Sequence, residues 1–262
     1  MNLSKKEEWL SRLRLMDDRF MKQCFQDRPD IVEMILKIIF DTEDIQVSKS
    51  YTQDYLANIN GKSVVLDIVA EDTYGKFYDI EMQKEEKGAS IKRVRYISAS
   101  LDKMILDKGR DYKELPDTYV IFFTETDYFK KDKQMYHVDK ILREDKTLVD
   151  DGMHIIYINT SYKSKNKLGK LCEDILCSNP DKMNYEVLKK VTNYYKKGEW
   201  RDKKMNGVFE EIFEEGKQEG MQQGILKGST DILDSLVKDG ILTREEADRK
   251  LELSKFTLDI NK

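Results

Sequence analysis

A chain of 262 residues is long enough to bury one core of about 200 residues and to carry an appendage besides. A hydrophobic content of 39%, with ten Phe and fourteen Tyr, excludes disorder despite a charged fraction of 37%, and a net charge of −4 excludes a global basic field, so nucleic-acid contact would have to come from local clusters. Three cysteines without a disulfide-like pattern, a charged N-terminal stretch without a signal-peptide core, and no window of roughly 18 apolar residues point to a soluble, cytoplasmic protein with no membrane partner.

In chain order, Trp9, Leu10 and Leu13 recur at helical spacing and predict a short amphipathic helix over residues 4–15. Phe20, Met21, Cys24 and Phe25 predict a second helix; Ile31, Met34, Ile35, Ile38 and Ile39 predict a third, starting at Pro29, a residue suited to a first helical turn. Residues 45–58 read as a strand leading to the Asn60-Gly61 turn signal. Residues 62–84, KSVVLDIVAEDTYGKFYDIEMQK, then read as a hairpin. With Thr73, Tyr74 and Gly75 as its loop and Gly75 left-handed, Asp72 pairs with Lys76 and Asp67 falls opposite Glu81. Alternation puts Asp67, Asp79, Glu81 and Gln83 on one face and Leu66, Ile68, Ala70, Tyr78, Ile80 and Met82 on the other.

Residues 89–106 predict a helix stopped by Gly109, and residues 118–124 are apolar enough for a strand buried on both faces. Strands are expected over 136–142 and 154–158, and helices over 168–177 and 185–197, with a break at Gly198. From residue 201 the chain changes character, with Gly216, Gly220, Gly224 and Gly228 at a four-residue interval, which suits either close helix packing or a linker. Thr243 and Glu246 form a capping box for a last helix. The expected architecture is a mixed α/β sheet flanked by helices over residues 1–200, and a helical tail over 201–262 that is available for homo-oligomerisation.

Opposed acids in a sheet repel, so a hairpin built for stability alone would avoid facing Asp67 with Glu81. A divalent cation removes the objection, because two carboxylates at neighbouring strand positions suit Mg²⁺ or Mn²⁺. The same spacing also suits a solvated sheet face with scattered acids.

The blocks DDRFMKQCF, LDIVAEDTYGKFYDIEMQ, KGASIKRVRYISASLDKMIL and LPDTYVIFFTETD, ordered between residues 17 and 197, resemble the PD-(D/E)XK nuclease-family transposases, which are related to the Rpn recombination-promoting nucleases. The resemblance implies a restriction-endonuclease-like fold and metal-dependent cleavage of DNA phosphodiester bonds, linked to recombination or mobile elements. By position it implies Asp67 as the first metal-binding carboxylate, Glu81 as the second and Gln83 as the third catalytic position, with the Met82 carbonyl as a further metal ligand. Gln83 stands where most of the superfamily has Lys and this branch usually has Gln; an amide orients a water but cannot take its proton at neutral pH, which leaves the general base open. Asp18 and Asp79, and Glu33 outside the matched block, are candidate supporting acids. Lys92, Arg93 and Arg95, in the first turns of the following helix, are candidates for DNA phosphate contact, near Lys84 and Lys87. A non-catalytic nucleic-acid- or protein-binding module on the same fold, and an RNA-directed defence nuclease, remain open as alternatives. His137, His154, Cys172 and Cys177 read as structural.

Overall fold

The computed structural model describes residues 3–56, 64–84, 88–197 and 206–260; the Asn60-Gly61 turn, Lys87 and the Gly198 break lie outside the described residues. Two compact units are present, residues 1–199 and 200–262.

The first unit begins with three helices, α1 (Leu3–Arg12), α2 (Asp18–Phe25) and α3 (Pro29–Phe40). Helix α1 ends earlier than its spacing predicts. Leu15 and Met16 are fully buried in the irregular segment that follows, where the Met16 amide bonds the carbonyl of Ile175 at 3.1 Å. Pro29 occupies the first turn of α3, where its missing N–H costs nothing.

Strands β1 (Val47–Leu56), β2 (Val64–Asp72) and β3 (Phe77–Gln83) form an antiparallel meander. Helix α4 (Ile91–Ile105), N-capped by the Ser90 side chain, then crosses to β4 (Thr118–Thr124), which lies parallel to β3. Strand β5 (Met135–Val138) is the far edge strand. Its ladder with the chain's last strand ends at Val138, and β6 (Lys140–Ile141) pairs instead with β7 (Leu148–Val149) in a separate ribbon, in place of the single strand expected over 136–142. Strand β8 (Met153–Asn159) inserts between β4 and β5, parallel to the first and antiparallel to the second. Helices α5 (Lys167–Leu176) and α6 (Glu186–Lys196) complete the unit. The result is a six-stranded mixed sheet, ordered β1-β2-β3-β4-β8-β5, flanked by helices.

Each face of the sheet has its own core. Val120 and Phe122 of β4 join Leu66, Val69, Val94 and Ile97 on the α4 side, while Ile121 and Phe123 join Ile80, Phe20, Ile35 and Leu171 on the other. Strand β4 is therefore buried on both faces, as its continuous apolar run predicts.

The hairpin has the expected register, Ile68 facing Ile80 through Glu71 facing Phe77, with Gly75 at φ 78° and the Asp72 amide bonded to the Lys76 carbonyl at 3.0 Å. Asp72 is buried at the turn. Its carboxylate accepts from the amides of Tyr74 (2.8 Å) and Lys76 (2.9 Å) and from the Tyr78 hydroxyl (2.9 Å). The expected alternation fails at one place: Ile68 and Ala70 pack on the α2/α3 side, but Leu66 packs beside Val69 on the α4 side. The β2–β3 ladder stops at Ile68–Ile80, and the alternation breaks just beyond that end, at Asp67, while β1 still pairs on either side, Thr52 with Ile68 and Asp54 with Leu66.

In the second unit, α7 (Asn206–Lys238) and α8 (Arg244–Ile260) pack on each other. The Thr243 amide donates to Glu246 at 2.9 Å and the Glu246 amide to Thr243 Oγ1 at 3.3 Å, the expected capping box. The glycines lie within one helix, and a Cβ at Gly220, Gly224 or Gly228 would meet nothing within 4 Å.

Removing the Asp72 carboxylate leaves two part-buried turn amides and a buried tyrosine hydroxyl without their acceptor. Asp72→Ala should lower unfolding free energy by about 2–3 kcal/mol, measured by denaturant titration.

Candidate active site

Where the β2–β3 ladder ends, side chains take over from the backbone. The Asp67 amide donates to Glu81 Oε1 at 3.1 Å, and the Met82 amide donates to Asp67 Oδ2 at 3.1 Å. Both carboxylates thus occupy the gap between the strands, and both are buried, 5% and 0% exposed. Their remaining oxygens turn to opposite layers: Lys22 Nζ of α2 lies 2.8 Å from Asp67 Oδ1, and Arg93 Nη2 of α4 lies 3.1 Å from Glu81 Oε2. The expectation that Asp67 and Glu81 share one face is corrected accordingly. They meet in the gap, and each draws its cation from a different helix layer.

Gln83 is half-buried and tied into the same network. Its Nε2 donates to Glu81 Oε2 at 3.3 Å, and its Oε1 accepts from Arg93 Nη1 at 2.8 Å. Arg93 also donates to the Gly88 carbonyl at 3.0 Å. Gly88 leaves room for this arrangement, since a Cβ there would lie 2.0 Å from Gln83 Oε1 and displace that side-chain end. Arg93, expected at DNA phosphates, is thus engaged with Glu81 and Gln83 themselves, whereas Lys92 and Arg95 are exposed on α4. Met82 offers its amide to Asp67 while its side chain joins the α2/α3-side core.

The other candidate acids separate. Asp18 is half-exposed and pairs with Lys22 at 2.8 Å, so it reaches the site through that lysine. Asp79 does not face solvent: it is fully buried in the row Val69–Asp79–Val120, and among the described residues neither of its carboxylate oxygens has a hydrogen-bond partner. Glu33 lies outside the site; it accepts from Lys37 and from the Val47 amide and so joins α3 to β1. His154 stacks on Tyr119 with ring centroids 4.4 Å apart, and Cys172 is buried in the core.

Sequence reasoning missed Lys22, Gly88 and the clasp around α2. Arg14 donates to both carboxylate oxygens of Glu125 at 2.7 and 3.2 Å, Lys84 pairs with Asp17, and the Glu125 amide bonds the Gln83 carbonyl at 3.0 Å. These contacts fasten the segment before α2 to the ends of β3 and β4. The signal for Lys22 was present in the chain: a lysine four residues after Asp18, on a helix whose residues 20–25 are otherwise neutral and all buried.

Burial dominates the electrostatics. It pushes Asp67 up to about 6, with Asp18 adding to the rise and Lys22 opposing it. Glu81 is pushed up to about 8 by burial and by Asp67, against Arg93. Asp79 is raised well above the ordinary carboxylate range by burial and then by Glu81 and Asp67. Burial works against the Lys22 charge, but Asp67 and Asp18 more than offset it and its pKa is raised.

Among the described residues no three His, Cys, Asp or Glu side chains are grouped so as to hold a metal ion by themselves. The donor chemistry nevertheless fits a hard cation that keeps much of its water: three buried acids, Asp67, Asp79 and Glu81, share the two cations Lys22 and Arg93, and the Asp79 oxygens are unsatisfied. The site is short of positive charge.

A family model described as PD-(D/E)XK nuclease family transposase matches residues 26–213. No curated protein and no solved structure matches the chain.

The raised acids set a pH dependence. An acid whose folded pKa lies above its unfolded value favours the fold below the unfolded pKa and loses that stability as pH rises towards the folded value. With a chelator present, thermal stability should therefore fall from about pH 4 to about pH 8, the span from ordinary carboxylates to Glu81. Asp79→Asn should flatten the profile and raise the midpoint near pH 8 by on the order of 5 °C, with little change near pH 4. Calorimetry across that range measures both.

Proposed function

The chain belongs to the PD-(D/E)XK nuclease family transposases, and from that membership and the site at the end of the β2–β3 ladder we propose that it is a Mg²⁺- or Mn²⁺-dependent endonuclease hydrolysing DNA phosphodiester bonds, in recombination or mobile-element activity. The family brings with it a restriction-endonuclease-like α/β fold, nuclease-related function, a nucleic-acid substrate and, in general, divalent metal ions. No described helix is long and apolar enough to cross a membrane. The observation that carries the proposal is the pair of crossed bonds, Asp67 amide to Glu81 and Met82 amide to Asp67, which buries two carboxylates side by side where the sheet opens.

In this reading Asp67, Glu81 and the Met82 carbonyl hold the cation, which supplies Lewis-acid polarisation of the phosphate and a more acidic bound water. The backbone amides fix the two carboxylates, so that little reorganisation precedes reaction. Arg93 clamps Glu81 Oε2 and Gln83 Oε1 together and sets the amide orientation. Gln83 aligns the attacking water through an amide that neither gains nor loses a proton at neutral pH. Lys92 and Arg95, exposed on the same helix as Arg93, take backbone phosphates of the DNA.

Incubation of supercoiled plasmid with wild type, Asp67→Ala and Glu81→Ala in Mg²⁺ or Mn²⁺ tests the proposal. Nicking by the wild type and at least a hundredfold less by either variant, on the order of what positioned charge contributes, is expected. Equal activity in all three would contradict the site. No activity in any would favour a binding module, and preferential cleavage of RNA would favour an RNA nuclease. Gly88→Ala should fold normally, because only a flexible side-chain end must move, yet slow cleavage by on the order of tenfold or more by displacing the Gln83 amide.

A further inference from the structure

Lys22 is a buried cation in a site that works on cations. Its residue is 7% exposed, and its ammonium lies 2.8 Å from Asp67 Oδ1 and 2.8 Å from Asp18 Oδ1. It lies in the DDRFMKQCF block, just before residues 26–213 that the family model matches. Asp18 of α2 adds negative charge at Asp67, and Asp67 in turn repels Glu81 and Asp79 of β3, while Arg93 stands on Glu81. The two acids that hold Lys22 differ in kind. Asp67 is in the strand gap beside Glu81 and is buried; Asp18 stands half-exposed one turn before Lys22 on the same helix and has no part in the gap.

We propose that Lys22 is the resident counter-ion that a divalent cation displaces from Asp67, and that Asp18 is the partner to which it retreats. This rests on the reading of Asp67 and Glu81 as metal-binding carboxylates. In the metal-free protein a buried Asp67 carboxylate needs a compensating charge, and Lys22 Nζ supplies it. When a divalent cation takes that oxygen, the ammonium loses one of two carboxylates and keeps the other, so it need not leave the site or remain unpaired. Lys22 therefore opposes metal binding by like-charge repulsion, and Asp18 assists it by holding the displaced ammonium. Two neighbours in one ion pair thus carry opposite signs towards the same ligand.

The test is calorimetric titration of Mn²⁺ into the DNA-free full chain, with wild type and variants compared at one pH. Lys22→Met should bind Mn²⁺ about tenfold more tightly than wild type, the scale expected for removing a like charge a few ångströms away in a partly screened site. Lys22→Arg, which keeps the charge, should bind as wild type does. Asp18→Asn, at a half-exposed position that tolerates the change, should bind about tenfold more weakly, and it keeps the test open if Lys22→Met does not fold. Unchanged or weaker binding by folded Lys22→Met, or unchanged binding by Asp18→Asn, overturns the assignment. If wild type binds Mn²⁺ and Glu81→Gln abolishes it while both Lys22→Met and Asp18→Asn match wild type, only the role of Lys22 falls. Absence of Mn²⁺ binding in every variant overturns the metal site as well.

Discussion

Two strands that stop exchanging hydrogen bonds inside a protein leave buried amides that must find other acceptors. At the open end of the β2–β3 ladder those acceptors are the carboxylates of Asp67 and Glu81. This solves the backbone problem and creates an electrostatic one, because burying carboxylates requires compensating charge. Much of the surrounding structure answers that requirement. Helix α2 brings Lys22 from one layer and α4 brings Arg93 from the other, while Arg14–Glu125 and Lys84–Asp17 fasten the segment before α2 to the strand ends.

The compensation is incomplete, and the deficit has a location. Asp79 sits one row from Glu81, under α4 and among apolar neighbours, with both oxygens unsatisfied. A fold selected for stability alone would place Val or Leu there, as its row neighbours Val69 and Val120 illustrate. Acids that cost stability are expected where chemistry needs them. Burial first, and then the neighbouring acids, push Asp67 and Glu81 upward, and a gap lined by buried acids is receptive to a hard cation that brings water and meets phosphate.

The local features of the hairpin were legible from the chain, because a turn glycine and period-two alternation act over a few residues. Gly75 set the register, and the apolar run of β4 announced burial on both faces. Features that depend on distant packing were not legible. The reversal of Leu66 comes just beyond the end of the ladder, and alternation assumes that the ladder continues. Lys22 was visible as a charge among the otherwise neutral, buried residues 20–25, yet only the docking of α2 on the sheet brings it to Asp67. Gly88 carried no local turn signal; its need for a missing side chain arises from Gln83 folding back against it. Spacing also left open a solvated sheet face, which the burial of Asp67 and Glu81 excludes, because only the packing of helices on both sides of the sheet decides it.

The account stands on the claim that the gap between Asp67 and Glu81 is a metal site. Crystals of the protein soaked in Mn²⁺ and measured for anomalous scattering test it most directly. The account predicts a peak in the gap, bonded to both carboxylates, with the Lys22 ammonium withdrawn to Asp18. A gap without a peak, with Lys22 still on Asp67 and Arg93 still on Glu81, would contradict it.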